Sequence, residues 1–111
     1  MSEDQVAKRF CVAMTTCEAP EEANALASAL LEAGLAACVQ MCPITSVYRW
    51  EGNIEQSAEI SISIKTTEAK ISEIERFLER NHSYEVPELV VLPIVAGGGS
   101  YLSWIAANLT E

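Results

Sequence analysis

ITSVYRWEGNIEQSAEISISIKTT, residues 44–67, places two strand-like runs on either side of Gly52-Asn53, a dipeptide that tolerates the positive φ angles of a two-residue hairpin turn. With the turn centred there, Glu51 opposes Ile54, Val47 opposes Ala58 and Thr45 opposes Ile60. Strand alternation then puts Val47, Ala58, Ile60, Ile62 and Ile64 on one face, which reads as core. The other face carries Ile44, Tyr48 and Trp50 beside Glu55, Ser57, Glu59, Ser61 and Ser63. A solvated face would hold more Lys, Glu and Thr, and no Trp–Tyr pair. This face is therefore expected to meet another protein surface, namely a second copy of the chain.

Working outward, residues 1–8 are polar and expected to be frayed. Residues 10–16 (FCVAMTT) are apolar enough for a central strand. Pro20 suits the first turn of a helix, with Glu21 and Glu22 where the helix dipole favours anions. Ala23, Leu26, Ala27, Leu30 and Leu31 follow at helical spacing, and Gly34 ends the run. Residues 35–41 (LAACVQM) predict a second strand interrupted at Pro43, and hence an edge strand. After the hairpin, Thr67 is placed to cap a helix whose buried stripe is Ile71, Ile74 and Leu78 and which ends near Asn81-His82. Residues 83–88 form a turn. Residues 89–95 (LVVLPIV) predict a fourth strand, again an edge because of Pro93. A Gly97-Gly98-Gly99 link leads to a last helix capped by Ser100, with Leu102, Ile105 and Leu109 on one side.

The order is β-α-β-β-α-β with a C-terminal helix. This is the split βαβ, ferredoxin-like α+β arrangement: an antiparallel sheet with two helices on one face. Its edge strands are the second and fourth, the two that contain proline. The 111 residues fit a single domain, large enough for a core and small enough to gain from oligomerisation.

A net charge of −9 with only 7 basic residues leaves nothing to build a basic stripe, which argues against nucleic-acid binding. It is compatible with attracting cations or with simple solubility. No apolar run approaches the ~20 residues of a membrane span, and MSEDQVAKRF lacks the charged-then-apolar order of a secretory signal, so a cytoplasmic protein is expected. The four cysteines form no CxxC pair; small buried thiols are the plain reading.

Hydrolase and phosphate-loop signatures are absent: there is one histidine, no GxSxG, and no Lys-Ser/Thr after the triple glycine, which reads as a hinge. His82, followed by Tyr84, Glu85 and Glu88, has the chemistry of a metal ligand or acid–base group; it also suits a helix C-terminus for dipole reasons alone.

Several ordered stretches together resemble one family. They are LAAC (35–38), SVYRWEG (46–52), Glu59 with Lys65-Thr66, HSYEVPE (82–88), LPIV (92–95) and YLSW (101–104). The set is similar to the CutA divalent-cation tolerance proteins over nearly the whole chain from about residue 10. The resemblance implies a homotrimer like that of the PII signalling proteins, tolerance to divalent cations, weak copper binding and no established reaction. Where such proteins read His-Pro-Tyr-Glu, this chain reads His82-Ser83-Tyr84-Glu85. The thiol associated with copper in the family falls near the end of the first strand, at Thr15 by one placement and at Cys17 by another.

Three function classes follow. The first is a trimeric protein binding Cu(II) or similar ions, with His82 and Cys17 as candidate ligands. The second is a PII-like module taking a small molecule or protein partner in inter-subunit clefts lined by Trp50, Glu59, Lys65, His82, Tyr84, Glu88, Tyr101 and Trp104. The third, an enzyme using that cluster for acid–base work, is disfavoured because His82 has no evident nucleophile to activate.

Overall fold

In the computed structural model residues 9–110 are described, and the frayed start expected over residues 1–8 lies outside them. The apolar run after Arg9 forms β1 (Phe10–Cys17), and helix α1 (Pro20–Glu32) follows with Pro20 at its start. The hairpin is β2 (Cys38–Trp50) and β3 (Asn53–Thr67). A 3-10 turn (Glu68–Lys70) leads into α2 (Ile71–Asn81), then β4 (Val90–Pro93) and α3 (Gly99–Ala107). The sheet order is β2-β3-β1-β4, with all three pairings antiparallel. Both proline-bearing strands lie at the edges, as expected from a residue that cannot donate to a ladder.

Alternation decides what is buried. Ala13 and Cys17 of β1 and Ile62 and Ile64 of β3 point to one side, where they meet Ala23, Leu26 and Leu30 of α1 and Ile74 and Leu78 of α2. That side is the core. The termination of α1 shows how the sequence sets its geometry. Gly34 adopts φ +71°, the Leu35 N–H reaches Leu30 O at 3.0 Å, and the Gly34 N–H reaches Leu31 O at 3.0 Å. These two bonds are the Schellman pattern, and buried Leu30 and Leu35 flank it.

Five expectations need correction. The hairpin turn is Glu51-Gly52, both at positive φ (49° and 83°), with Trp50 opposite Asn53. Both central residues of a type I′ turn need positive φ, and Gly52 supplies the second of them rather than the first. Moving the turn by one residue moves every partner by two, so Val47 faces Gln56 and Thr45 faces Ala58 while the two faces keep their membership.

The second strand does not break at Pro43. It starts at Cys38 and runs unbroken to Trp50, because Pro43 sits on the edge strand. Thr67 makes no capping hydrogen bond, and α3 is capped at Gly98 rather than Ser100. Finally, Val47 and Ala58 are exposed, Val47 at 64%. The 15 residues of β3 span ~50 Å at ~3.3 Å each, matching the 48 Å long axis, so the outer hairpin extends past the helices that cover its base. The radius of gyration, 14.9 Å, accordingly exceeds the ~13 Å of a compact chain this size.

Candidate functional site

The site forms where the chain leaves α2. His82 is completely buried as a side chain and spends both ring nitrogens inside the protein. Its Nε2–H donates to Thr16 O at 2.6 Å, and its Nδ1 accepts the Tyr84 N–H at 2.9 Å. A carbonyl can only accept and an amide N–H can only donate, so these partners fix the neutral Nε2–H tautomer. Next to it, Ser83 donates through N–H and Oγ to the two oxygens of Glu22, at 2.9 and 2.8 Å. Glu22 lies in the first turn of α1, where the sequence had placed it for dipole reasons. Proline at position 83 would supply neither donor; here two hydrogen bonds do the stiffening that a ring would otherwise do.

The turn so held presents Tyr84 to the sheet face opposite the helices. Its hydroxyl donates to Glu59 Oε2 at 2.7 Å. Burial pushes the Glu59 carboxyl up, but the Ser46, Tyr84 and Thr16 hydroxyls beside it hold it below the ordinary value. The Tyr84 phenol is raised, first by burial and then by its bond to the Glu59 carboxylate. Above this pair opens a cleft of about 480 Å³ lined by Tyr48, Trp50, Glu59, Tyr84, Glu85 and Glu88, with Thr16, Ser83 and Val86 completing its wall.

The predicted lining thus divides. Trp50, Glu59, Tyr84 and Glu88 share the cleft, and His82 lies behind it against the Tyr84 ring, with centroids 4.8 Å apart. Lys65, Tyr101 and Trp104 form a second group. Lys65 Nζ lies 3.5 Å from the Tyr101 hydroxyl, and the Tyr101 and Trp104 rings stack at 5.7 Å. Glu59 and Lys65 share one face of β3 but stand six residues apart, ~20 Å along the strand, so one chain does not bring the two groups together. Sequence reasoning missed Thr16, Ser46, Glu22 and Ser83. Only Ser83 had left a signal, as the departure from His-Pro-Tyr-Glu.

For metal, the donors are already engaged. Coordination at His82 would have to displace either the Tyr84 N–H or the Thr16 carbonyl. Cys17 is fully buried, its thiol 3.4 Å from Ala19 O, with burial and then Glu22 pushing its pKa up; a thiolate is correspondingly disfavoured. Among the described residues, no three His, Cys, Asp or Glu side chains come together around one point. The described residues of a single chain do not offer a complete ligand shell.

Residues 11–108 match the family model of the CutA1 divalent ion tolerance protein. The chain is 39% identical over 109 residues to the divalent-cation tolerance protein CutA of Escherichia coli O139:H28, covering 96% of this chain and 97% of that one. It superposes on CutA1 of the psychrotrophic bacterium Shewanella sp. SIB1 with a TM-score of 0.89 and 40% identity, covering 94% and 98% of the two chains. The periplasmic divalent cation tolerance protein CutA of Archaeoglobus fulgidus gives 0.87 and 36%, covering 89% and 97%. Fold, order of motifs and near-complete coverage agree, and the chain belongs to the CutA1 divalent ion tolerance protein family.

Proposed function

We propose that this chain is a cytoplasmic, homotrimeric divalent-cation tolerance protein that binds Cu(II) and similar ions weakly, at sites completed across subunits. The observation that carries the reading is the uncovered sheet face. Tyr48 and Trp50 on the hairpin and Val90 and Leu92 on β4 are 43–51% exposed, and Ser61 and Ser63 between them leave room for a second surface. Aromatic groups of this size, left on a ribbon that projects from its own core, call for a partner. Assembly would also supply the ligands that one chain lacks, including carboxylates such as Glu85 and Glu88. His82 and Cys17 remain the nitrogen and sulfur donors of the region, though each must give up an internal hydrogen bond to serve.

Light scattering at micromolar protein tests the assembly, with a trimer expected and Trp50→Ala weakening it. A wild-type monomer would overturn the reading. Calorimetric titration of Cu(II) into wild type, His82→Ala and Cys17→Ser, with thiol oxidation excluded and folding checked by circular dichroism, tests the metal. Micromolar or weaker binding is expected, and no binding would remove it.

The cleft itself favours a second reading, a PII-like module that binds a small molecule between subunits. Its volume of about 480 Å³ falls in the range of small-ligand sites, ~300–1,000 Å³, and is far larger than one ion requires. A catalytic role is not proposed: His82 has no nitrogen free to take a proton from a substrate.

A further inference from the structure

We infer that the cleft beside Glu59 is built to take an organic ammonium ion, a protonated or quaternary amine with an apolar body. The inference rests on the small-molecule reading above and is independent of the metal reading. Three aromatic side chains, Tyr48, Trp50 and Tyr84, line the space together with three carboxylates, Glu59, Glu85 and Glu88. Among the described residues no Lys, Arg or His side chain lines it, so no described residue of the chain offsets those carboxylates at the wall.

The arrangement of Glu59 discriminates between cations. Tyr84 donates to its Oε2 at 2.7 Å, and the nearby Ser46 and Thr16 hydroxyls help hold the carboxyl below its ordinary value. The group is therefore held in position and kept ionised, with one of its two oxygens already engaged. A hard metal ion needs several oxygens at short range, and among the described residues no three His, Cys, Asp or Glu side chains come together around one point. An ammonium needs less: a fixed negative charge at one end and polarisable aromatic walls around the body, where each cation–π contact contributes most when water is excluded. The donors on the wall, such as the Tyr48 hydroxyl and the Trp50 indole N–H, are uncharged, so an anion would meet three carboxylates with no cation among the lining residues to offset them. The space also exceeds an ion and suits a body of several carbons.

The test uses the full-length assembled protein. Trp104→Phe leaves Trp50 as the sole tryptophan, so emission reports the cleft. The probes are n-butyltrimethylammonium, n-butanol and butyrate at equal ionic strength, with calorimetry in parallel. The ammonium should shift Trp50 emission saturably, while n-butanol and butyrate leave it unchanged. Glu59→Gln keeps an acceptor for Tyr84 but removes the charge, and should weaken binding at least tenfold; Trp50→Leu should do the same, with assembly checked by light scattering.

Equal binding of n-butanol would overturn the ammonium assignment while leaving a small-molecule cleft standing. Silence toward all three probes would overturn both. Ammonium binding unaffected by Glu59→Gln would place the ligand elsewhere and overturn the assignment. Binding seen only after Arg49→Gln would mean that a neighbour's guanidinium from the hairpin tip fills the cleft, and the free-amine proposal would fall. Copper titration of the same sample reads the metal hypothesis separately.

Discussion

Tyr84→Phe removes one oxygen from the wall of the cleft and tests whether the turn after α2 and the sheet are energetically one unit. The Tyr84 hydroxyl is the donor to Glu59 Oε2, at 2.7 Å. A hydrogen bond to a charged group contributes ~1.5–3 kcal/mol. Glu59 is only partly buried, so a coupling near the lower end, about 1.5 kcal/mol, is expected. Urea unfolding of wild type, Tyr84→Phe, Glu59→Gln and the double variant, at one fixed protein concentration, gives that coupling directly. The pH dependence has a defined sign. Glu59 titrates lower in the folded protein than its ordinary 4.5, so its stabilisation is present above pH 4.5 and is lost as pH falls through the folded-state value. Tyr84→Phe withdraws one of the groups that lower it and should flatten this acid limb. Additivity within ~0.3–0.5 kcal/mol at neutral pH would refute the reasoning.

Gly34→Ala should destabilise by ~1–3 kcal/mol, because a Cβ there sits at positive φ and overlaps the Thr110 side chain; adding Thr110→Gly should restore only the part due to overlap, as read by thermal melts. Ser63→Leu should lower the melting temperature at a cost of ~1–3 kcal/mol if a second subunit covers that face, and leave it unchanged if solvent does. Cys11 is fully buried, and burial with Glu68 raises its thiol from 9.0 to about 11. Its thiolate fraction near neutral pH is then ~100-fold below that of a free thiol, so alkylation followed by mass spectrometry should find Cys11 protected in the native protein and labelled in denaturant.

Much of the fold was legible because the relevant signals are local. Pro20 and Gly34 bracket α1, the Ile74–Leu78 stripe marks the buried side of α2, and alternation in residues 54–64 assigns the faces of β3. Even the misplaced turn did little damage, since a shift of two in partner leaves each side chain on its own face. What alternation cannot give is depth. Val47 and Ile62 have the same pattern, yet one is 64% exposed and the other fully buried. The difference lies in how far α1 and α2 reach along the ribbon, which depends on packing between segments far apart in sequence.

The site was legible only as an inventory of residues for the same reason. Glu22 and Ser83 are 61 positions apart, His82 and Thr16 are 66 apart, and Tyr84 and Glu59 are 25 apart. No periodicity links such pairs. The residue whose type drew attention, the chain's only histidine, is the one whose role the structure changes most. An imidazole suggests a ligand or a base, but here the backbone occupies both nitrogens and the ring becomes a strut between the end of β1 and the turn. The exposed chemistry passes to two other residues of that inventory, Glu59 on the mixed strand face and Tyr84 two residues after the histidine. A strut at His82 fixes the Tyr84 backbone, Tyr84 fixes Glu59, and Glu59 faces the aromatic cleft. Any ligand that draws on Glu59 therefore draws on the same network that stabilises the fold, so ligand affinity and acid stability should be lost together across variants of these three residues.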